Sequence, residues 1–217
     1  MEREHIRSVD ALHHELLKMG SLVEEGLRKA LISLSNWDED LADAVIEEDT
    51  HIDAMQKQIE DQCTRLIAAT HPTGGDLRDI ICCIKTVTDL ERIGDHARHI
   101  ARSLTKVAGT HYSAMLPQIR NLGDRVLGMV HDALTALIDR DDERAREVAG
   151  RDVSIDETHR ALTSETLNIM KARAEGIEAG QRIIMLSRFL ERIGDHVTNI
   201  CEWIVYARTG EHVEFDR

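Results

Sequence analysis

Aromatic residues are scarce in this chain, at 3% of 217 residues, and it has only two prolines. Sheets rely on aromatic and β-branched side chains for cross-strand packing, so the shortage argues for helices packed through Leu, Ile, Val, Ala and Met. No window approaches the roughly 18 consecutive apolar residues of a membrane span, and Met1 to Asp10 is too polar for a secretion signal. The cysteines Cys63, Cys82, Cys83 and Cys201 lack a CxxC spacing. They read as buried thiols of a reducing compartment, and the cytoplasm is the expected location. Basic charge is short as well: 27 Lys and Arg against 40 Asp and Glu give a net charge of −13. Such a surface repels phosphate backbones and anionic membranes, and no basic stripe with interleaved aromatics appears. Direct nucleic-acid binding and an unassisted grip on membrane are therefore not expected. No Ser/His/Asp triad, phosphate-cradling glycine loop or nucleophilic cysteine context stands out, so the chain is not expected to be an enzyme.

What the chain does have is a repeat. Leu90-Glu91-Arg92-Ile93-Gly94-Asp95-His96 recurs identically as Leu190-Glu191-Arg192-Ile193-Gly194-Asp195-His196, an offset of 100. Asp49-x-x-Ile52-Asp53 recurs as Asp152-x-x-Ile155-Asp156, and Asp38 matches Asp141, both at an offset of 103. The two halves are copies. Each resolves into three helical stretches. Leu16, Met19, Val23, Leu27, Ala30 and Leu34 fall at helical spacing. Asp38 is placed as an N-cap, followed by acidic residues that suit the helix dipole, and a second helix runs to about Thr70. His71-Pro72-Thr73-Gly74-Gly75 turns the chain, and a third helix spans about Asp76 to Lys106. Gly109 to Pro117 is the natural boundary, with Pro117 in the first turn of the next helix. Helices at about Leu116–Asp139, Asp141–Ala172 and Ile177–Arg208 complete the second copy. The expected fold is all-α: two tandem antiparallel three-helix bundles, six long helices with a pseudo-two-fold repeat, over residues 1–110 and 111–217.

Glu91 and Asp95 are four apart and share a helix face, as do Asp49 and Asp53. In an antiparallel hairpin, residues equidistant from the turn lie level. Asp49 with Asp95, and Asp53 with Glu91, are equidistant from Pro72. Asp152 with Asp195, and Asp156 with Glu191, are equidistant from the Lys171–Gly176 break. Heights follow from spacing; facing does not. Where such pairs face, four like charges must take up protons, recruit Arg or Lys, or bind a cation. Arg92 and Arg98 are placed to give partial relief. All-oxygen ligation suits magnesium, calcium, manganese or iron, and His96, His99 and His196 could add nitrogen ligands for iron, nickel or zinc. The alternative is that these carboxylates only decorate a solvated face. Gly94 and Gly194, unfavourable in mid-helix by about 1 kcal/mol against alanine, point to close helix approach or to a ligand against the backbone.

At these motifs the chain resembles the PhoU family of phosphate-uptake regulators, whose hallmark is a duplicated E(D)xxxD motif on paired three-helix bundles. His71-Pro72-Thr73-Gly74-Gly75-Asp76-Leu77-Arg78 resembles the family's turn before its third helix. Met19 to Glu25 resembles its first helix, and Asn199-Ile200-Cys201-Glu202 the end of its last. The resemblance implies a negative regulator that links the phosphate ABC transporter to a phosphate-sensing histidine kinase and restrains the phosphate-starvation regulon. It also implies a homodimer, membrane association only through partners, and a multinuclear iron or zinc cluster, with magnesium or manganese as alternatives. The metal positions carried over are Asp49, Asp53, Glu91, Asp95, Asp152, Asp156, Glu191 and Asp195. His99 stands where the second copy has Asn199, so the two sites are expected to differ. The second copy also lacks the His-Pro-Thr-Gly-Gly turn.

Three rivals are weighed against this. A ferritin-type di-iron enzyme needs two inward Glu-x-x-His pairs; Glu48-x-x-His51 fits, but its counterpart runs from Arg151 to Ser154. A phosphohistidine module would use His14, which nothing in the second copy mirrors. A plain scaffold would keep the acidic clusters for basic partner surfaces, without functional metal.

Overall fold

The computed structural model describes residues 2–104, 111–172 and 176–215, with residues 2–10 and 111 as backbone only. Among the described residues seven helices follow in order: α1 (Glu2–Asn36), α2 (Glu39–Thr70), α3 (Gly74–Ala101), α4 (Leu116–Asp139), α5 (Asp142–Ala149), α6 (Asp152–Ala172) and α7 (Ile177–Thr209). A 3-10 turn at His111–Met115 leads into α4, and no strand occurs among the described residues. The fold is all-α, as expected. The expected stripe of α1 is the buried one: Leu16, Met19, Val23, Leu27, Ala30 and Leu34 are each at most 3% exposed.

Equivalent corners open α2 and α5. Trp37 and Arg140 take positive φ values of 58° and 52°, and the aspartate that follows each is extended. Asp38 accepts from the Leu41 N–H and Asp141 from the Arg144 N–H, each at 2.9 Å. A side-chain oxygen thus satisfies an amide that has no partner inside the helix. At the other end of α2 the left-handed His71 donates its N–H to the Ile67 carbonyl, and Pro72 turns the chain into α3. Pro117 sits in the first turn of α4.

Helix α1 itself begins at Glu2, ahead of the apolar stripe that runs from Leu16. One expectation needs correction. The helix expected as continuous over Asp141–Ala172 is broken at Gly150–Arg151, dividing α5 from α6. Glycine is a poor helix former. Here the Arg151 N–H bonds back to Val148 O and the Ser154 N–H to Arg151 O, tightening the chain into a turn. The last residues expected in the third helix, Thr105 and Lys106, lie outside the described residues. So do Gly109 and Thr110 of the expected boundary, and Arg173 to Glu175 of the second hairpin break.

Helices α1 to α3 pack on one another, as do α4 to α7. The two groups meet along two seams, α3 against α7 and α1 against α4, and share one hydrophobic core. Symmetry shows in the α1–α4 seam. A Cβ on Gly20 would meet Leu134 Cδ2 at 2.6 Å, and one on Gly123 would overlap Leu31 Cδ2. Each copy lends a leucine to the other copy's glycine notch. All four cysteines are free and buried. Burial pushes the thiols of Cys63, Cys82 and Cys201 up to about 12, and that of Cys83 well above its ordinary value. None is thiolate at neutral pH, so none is poised as a nucleophile.

Candidate functional site

Helices α2 and α3 bring the first four carboxylates together. Asp49 is 5% exposed, while Asp53, Glu91 and Asp95 are partly buried along the margin of the packed face. Arg98 bridges the hairpin: its Nε lies 3.1 Å from Asp49 Oδ2, and its Nη2 reaches Asp95 Oδ1. Arg92 lies 3.5 Å from both Glu91 Oε2 and Asp95 Oδ2. The level pair Asp49 and Asp95 therefore does face across the helices. Burial pushes the Asp49 carboxyl up, Arg98 opposes this, and Asp95 and Asp53 push it further. Glu91 is likewise raised, by burial first and then by Asp95, with Arg92 opposing and Asp53 and Asp49 adding repulsion.

The second copy repeats the arrangement, keeping the Arg92 pairing as Arg192 with Asp195 but changing the other counter-charges. Asp152 is 4% exposed and Glu191 8%; Asp156 and Asp195 are partly buried. Each arginine here serves a carboxylate of its own helix. Arg188 Nη1 is 2.5 Å from Glu191 Oε1, Arg192 Nη1 is 3.0 Å from Asp195 Oδ2, and Arg160 Nη2 is 2.9 Å from Asp156 Oδ2. Burial raises the Glu191 carboxyl, Asp195 raises it further, Arg188 opposes, and Asp156 adds repulsion. Glu191 Oε2 is buried without a hydrogen-bond partner among the described residues.

The duplicated glycines take the close-approach role. A Cβ on Gly94 would meet Ile52 Cδ1 at 3.1 Å, with Asp49 Oδ1 at 3.8 Å. One on Gly194 would collide with Asp152 Oδ1. At Gly194 only a bare Cα lets the buried aspartate of the neighbouring helix lie against this backbone, whereas at Gly94 the tight neighbour is Ile52.

These donors suit a cation in charge, but their arrangement is not a ready-made cage. Among the described residues no three His, Cys, Asp or Glu side chains are grouped to hold a metal ion. Guanidinium groups stand where a cation would neutralise the carboxylates. The histidines named beside the motif lie at the seam between the bundles. His96 stacks on Phe189 at 5.7 Å between ring centroids, His99 stacks on it at 5.1 Å, and His196 is 5.7 Å from His96. On the symmetry-related side, Asp89 Oδ1 accepts from Asn199 Nδ2 at 3.1 Å and lies 2.9 Å from His196 Nδ1. The difference between His99 and Asn199 is thus spent on this seam, where Phe189 replaces Asp89. Burial, then repulsion from His196 and His99, pushes His96 down to about 4, and burial lowers His99 too. Spacing within a copy did not reveal Asp89 and Phe189. The available signal was that 89 and 189 differ just before an otherwise identical run.

The rival motifs find ordinary partners. Glu48 is held by Lys29 at 2.8 Å and His51 is exposed. His14 is exposed, and Lys18, one turn on, pairs with Glu15 at 2.8 Å.

Fold and site together define a duplicated helical-bundle protein with one arginine-compensated acidic margin in each half. The PhoU domain family model matches residues 16–104 and again residues 119–204. The chain is 38% identical over 209 residues to the phosphate-specific transport system accessory protein PhoU homolog of Clostridium acetobutylicum, covering 96% of this chain and 95% of that protein. It is 32% identical over 203 residues to the accessory protein PhoU of Escherichia coli K12, covering 94% and 84%. The crystal structure of the phosphate transport system regulatory protein PhoU from Streptococcus pneumoniae superposes with a TM-score of 0.90 at 33% identity, covering 97% and 99%. PhoU from Pseudomonas aeruginosa superposes with a TM-score of 0.88 at 34% identity, covering 94% and 99%. The chain belongs to the PhoU family.

Proposed function

We propose that this chain is an accessory protein of phosphate-specific transport. In this proposal it lowers phosphate uptake and holds down the phosphate-starvation regulon by binding between the phosphate ABC transporter and a sensor histidine kinase. The observation that carries this is the extent of the likeness: it runs through both copies and includes both acidic motifs. The protein acts by binding rather than catalysis, as a homodimer in the cytoplasm, with residues 1–110 and 111–217 as its two binding units. No helix among the described residues is long and apolar enough to cross a membrane; in this proposal contact with the transporter runs through its cytoplasmic parts. Bias of a partner's signalling state requires different affinities for that partner's two states.

Iron or zinc at the eight motif carboxylates is part of the same proposal, with magnesium or manganese as alternatives. A cation entering the first copy would displace Arg98 from Asp49 and Asp95. In the second it would take up the free lone pairs of Glu191 Oε2. Deleting the gene and following a phosphate-starvation reporter at high phosphate tests the regulatory role. The reporter is expected to switch on, and a silent reporter overturns the assignment. Metal analysis of untagged protein tests the cluster: stoichiometric metal lost in Glu91→Ala and Asp195→Ala supports it. Sub-stoichiometric metal unchanged by either substitution leaves a scaffold without metal.

A further inference from the structure

The first two helices of each copy align at the offset of 103 that pairs Gly20 with Gly123 and Asp49 with Asp152. At that offset Leu22 matches Arg125, Gly26 matches Met129, and His51 matches Ser154. These three differences change one place in the fold. In the first copy a cavity of about 240 Å³ opens between α1, α2 and α3, walled by Val23, Val45, Ile52 and Ala97 and edged by Leu22 and His51. Leu22 is 41% exposed, large for a leucine. A Cβ on Gly26 would meet nothing within 4 Å. In the second copy the corresponding side chain, Met129, is 1% exposed. Arg125 there ties the two helices together, donating to Ser154 Oγ at 2.6 Å and Thr158 Oγ1 at 2.9 Å. The second copy fills and straps what the first leaves open.

Carboxylates outnumber cations around the mouth of this cavity. Glu48 and Asp49 line it, Glu48 held by Lys29 and Asp49 by Arg98, and the exposed Glu47 precedes them on α2. Glu25 lies on the same α1 stripe as Leu22 and Lys29, its side chain 52% exposed and 3.5 Å from Arg28, a cation it shares with Glu24. The net charge of −13 adds a long-range field of the same sign. Apolar walls inside an acidic rim, between two antiparallel helices, match one kind of occupant: an amphipathic helix that seats apolar side chains in the groove and lays basic ones along its edges.

We propose that the first-copy groove between α1 and α2 is a docking site for a cationic amphipathic helix of a protein partner. This goes beyond the regulatory reading and stands on the difference between the copies, so either can fail without the other. The test titrates a fluorescein-labelled synthetic helix, with Leu at i, i+3, i+4 and i+7 and Lys elsewhere, against the full-length protein, followed by anisotropy. A second helix carries Glu in place of Lys. Saturable one-to-one binding of the Lys helix and none of the Glu helix is expected. Gly26→Met, which copies Met129 into an open space, weakens binding at least about ten-fold while the thermal midpoint holds or rises. Leu22→Ser, which removes the apolar contact at an exposed position without changing the charge, weakens it similarly and serves should Gly26→Met disturb the fold. Equal affinity in both variants reduces the binding to a diffuse acidic surface and overturns the site, as does absence of saturable binding. A fall in oligomeric state with Gly26→Met, read by sedimentation, also overturns it, by assigning the groove to a second copy.

Discussion

Asp49 in the first copy sits in mid-helix and takes its counter-charge from Arg98, 3.1 Å away on α3. In the second copy the position matching Arg98 is Thr198, which is 1% exposed and carries no charge. There the helix itself changes. The break at Gly150–Arg151 makes Asp152 the first residue of α6, at the end where the helix dipole is positive and a carboxylate is favoured. The pair flanking this position is reversed as well: Lys29 holds Glu48 at 2.8 Å in the first copy, whereas Arg151 holds Asp132 at 2.5 Å in the second. Duplicated sequence has thus kept the buried aspartate and the glycine it rests on, while each copy found its own compensation. What a repeat preserves is the electrostatic problem, and neighbouring residues are free to differ in how they meet it.

The largest effect that would break this comparison lies at Arg98. Arg98→Ala leaves Asp49 buried and uncompensated, and it is expected to cost about 3 kcal/mol in denaturant unfolding. Adding Asp49→Asn should return a good part of the loss, because the neutral amide no longer needs a cation. A cost below about 1 kcal/mol would mean that Asp49 is compensated without the bridge.

A smaller effect separates the glycines. Gly194→Ala drives a Cβ into Asp152 Oδ1 and is expected to destabilise by about 2 kcal/mol. Gly94→Ala meets the mobile end of Ile52 and gains helix propensity of about 1 kcal/mol, so it should be close to neutral. Equal thermal midpoints for the two variants would contradict the tighter seating of the second aspartate.

The smallest is a pH slope. The folded-state carboxyls of Asp49, Glu91 and Glu191 are raised, each by burial first. The folded protein therefore holds these protons more tightly than the unfolded chain. Stability from these groups falls as pH rises through the raised values and is regained as acid protonates them. Glu191→Gln should flatten that part of the pH profile between neutrality and the ordinary glutamate value of 4.5. An unchanged slope would show that Glu191 titrates normally.

Much of this was legible before any coordinates. The aspartates at 38 and 141 announced the starts of α2 and α5 because a carboxylate oxygen can satisfy free amides there. Pro72 marked the hairpin, and equal distances from it put Asp49 level with Asp95. The break after Gly150 was missed because one glycine in a helical stretch is usually tolerated. The seam of Asp89, Phe189, His96 and His196 was missed because its members come from different copies, and periodicity within a helix says nothing about which helix it meets. Apolar spacing and duplication by themselves determined the all-helical character, the number of repeats and the heights of the acidic pairs, since these depend on rise per residue along one rod. Tertiary structure decided which carboxylates face each other, which arginine reaches them and why the first copy keeps an open groove where Met129 and Arg125 close the equivalent place in the second. Those depend on how each rod is turned about its axis, and side-chain packing across the rods fixes that.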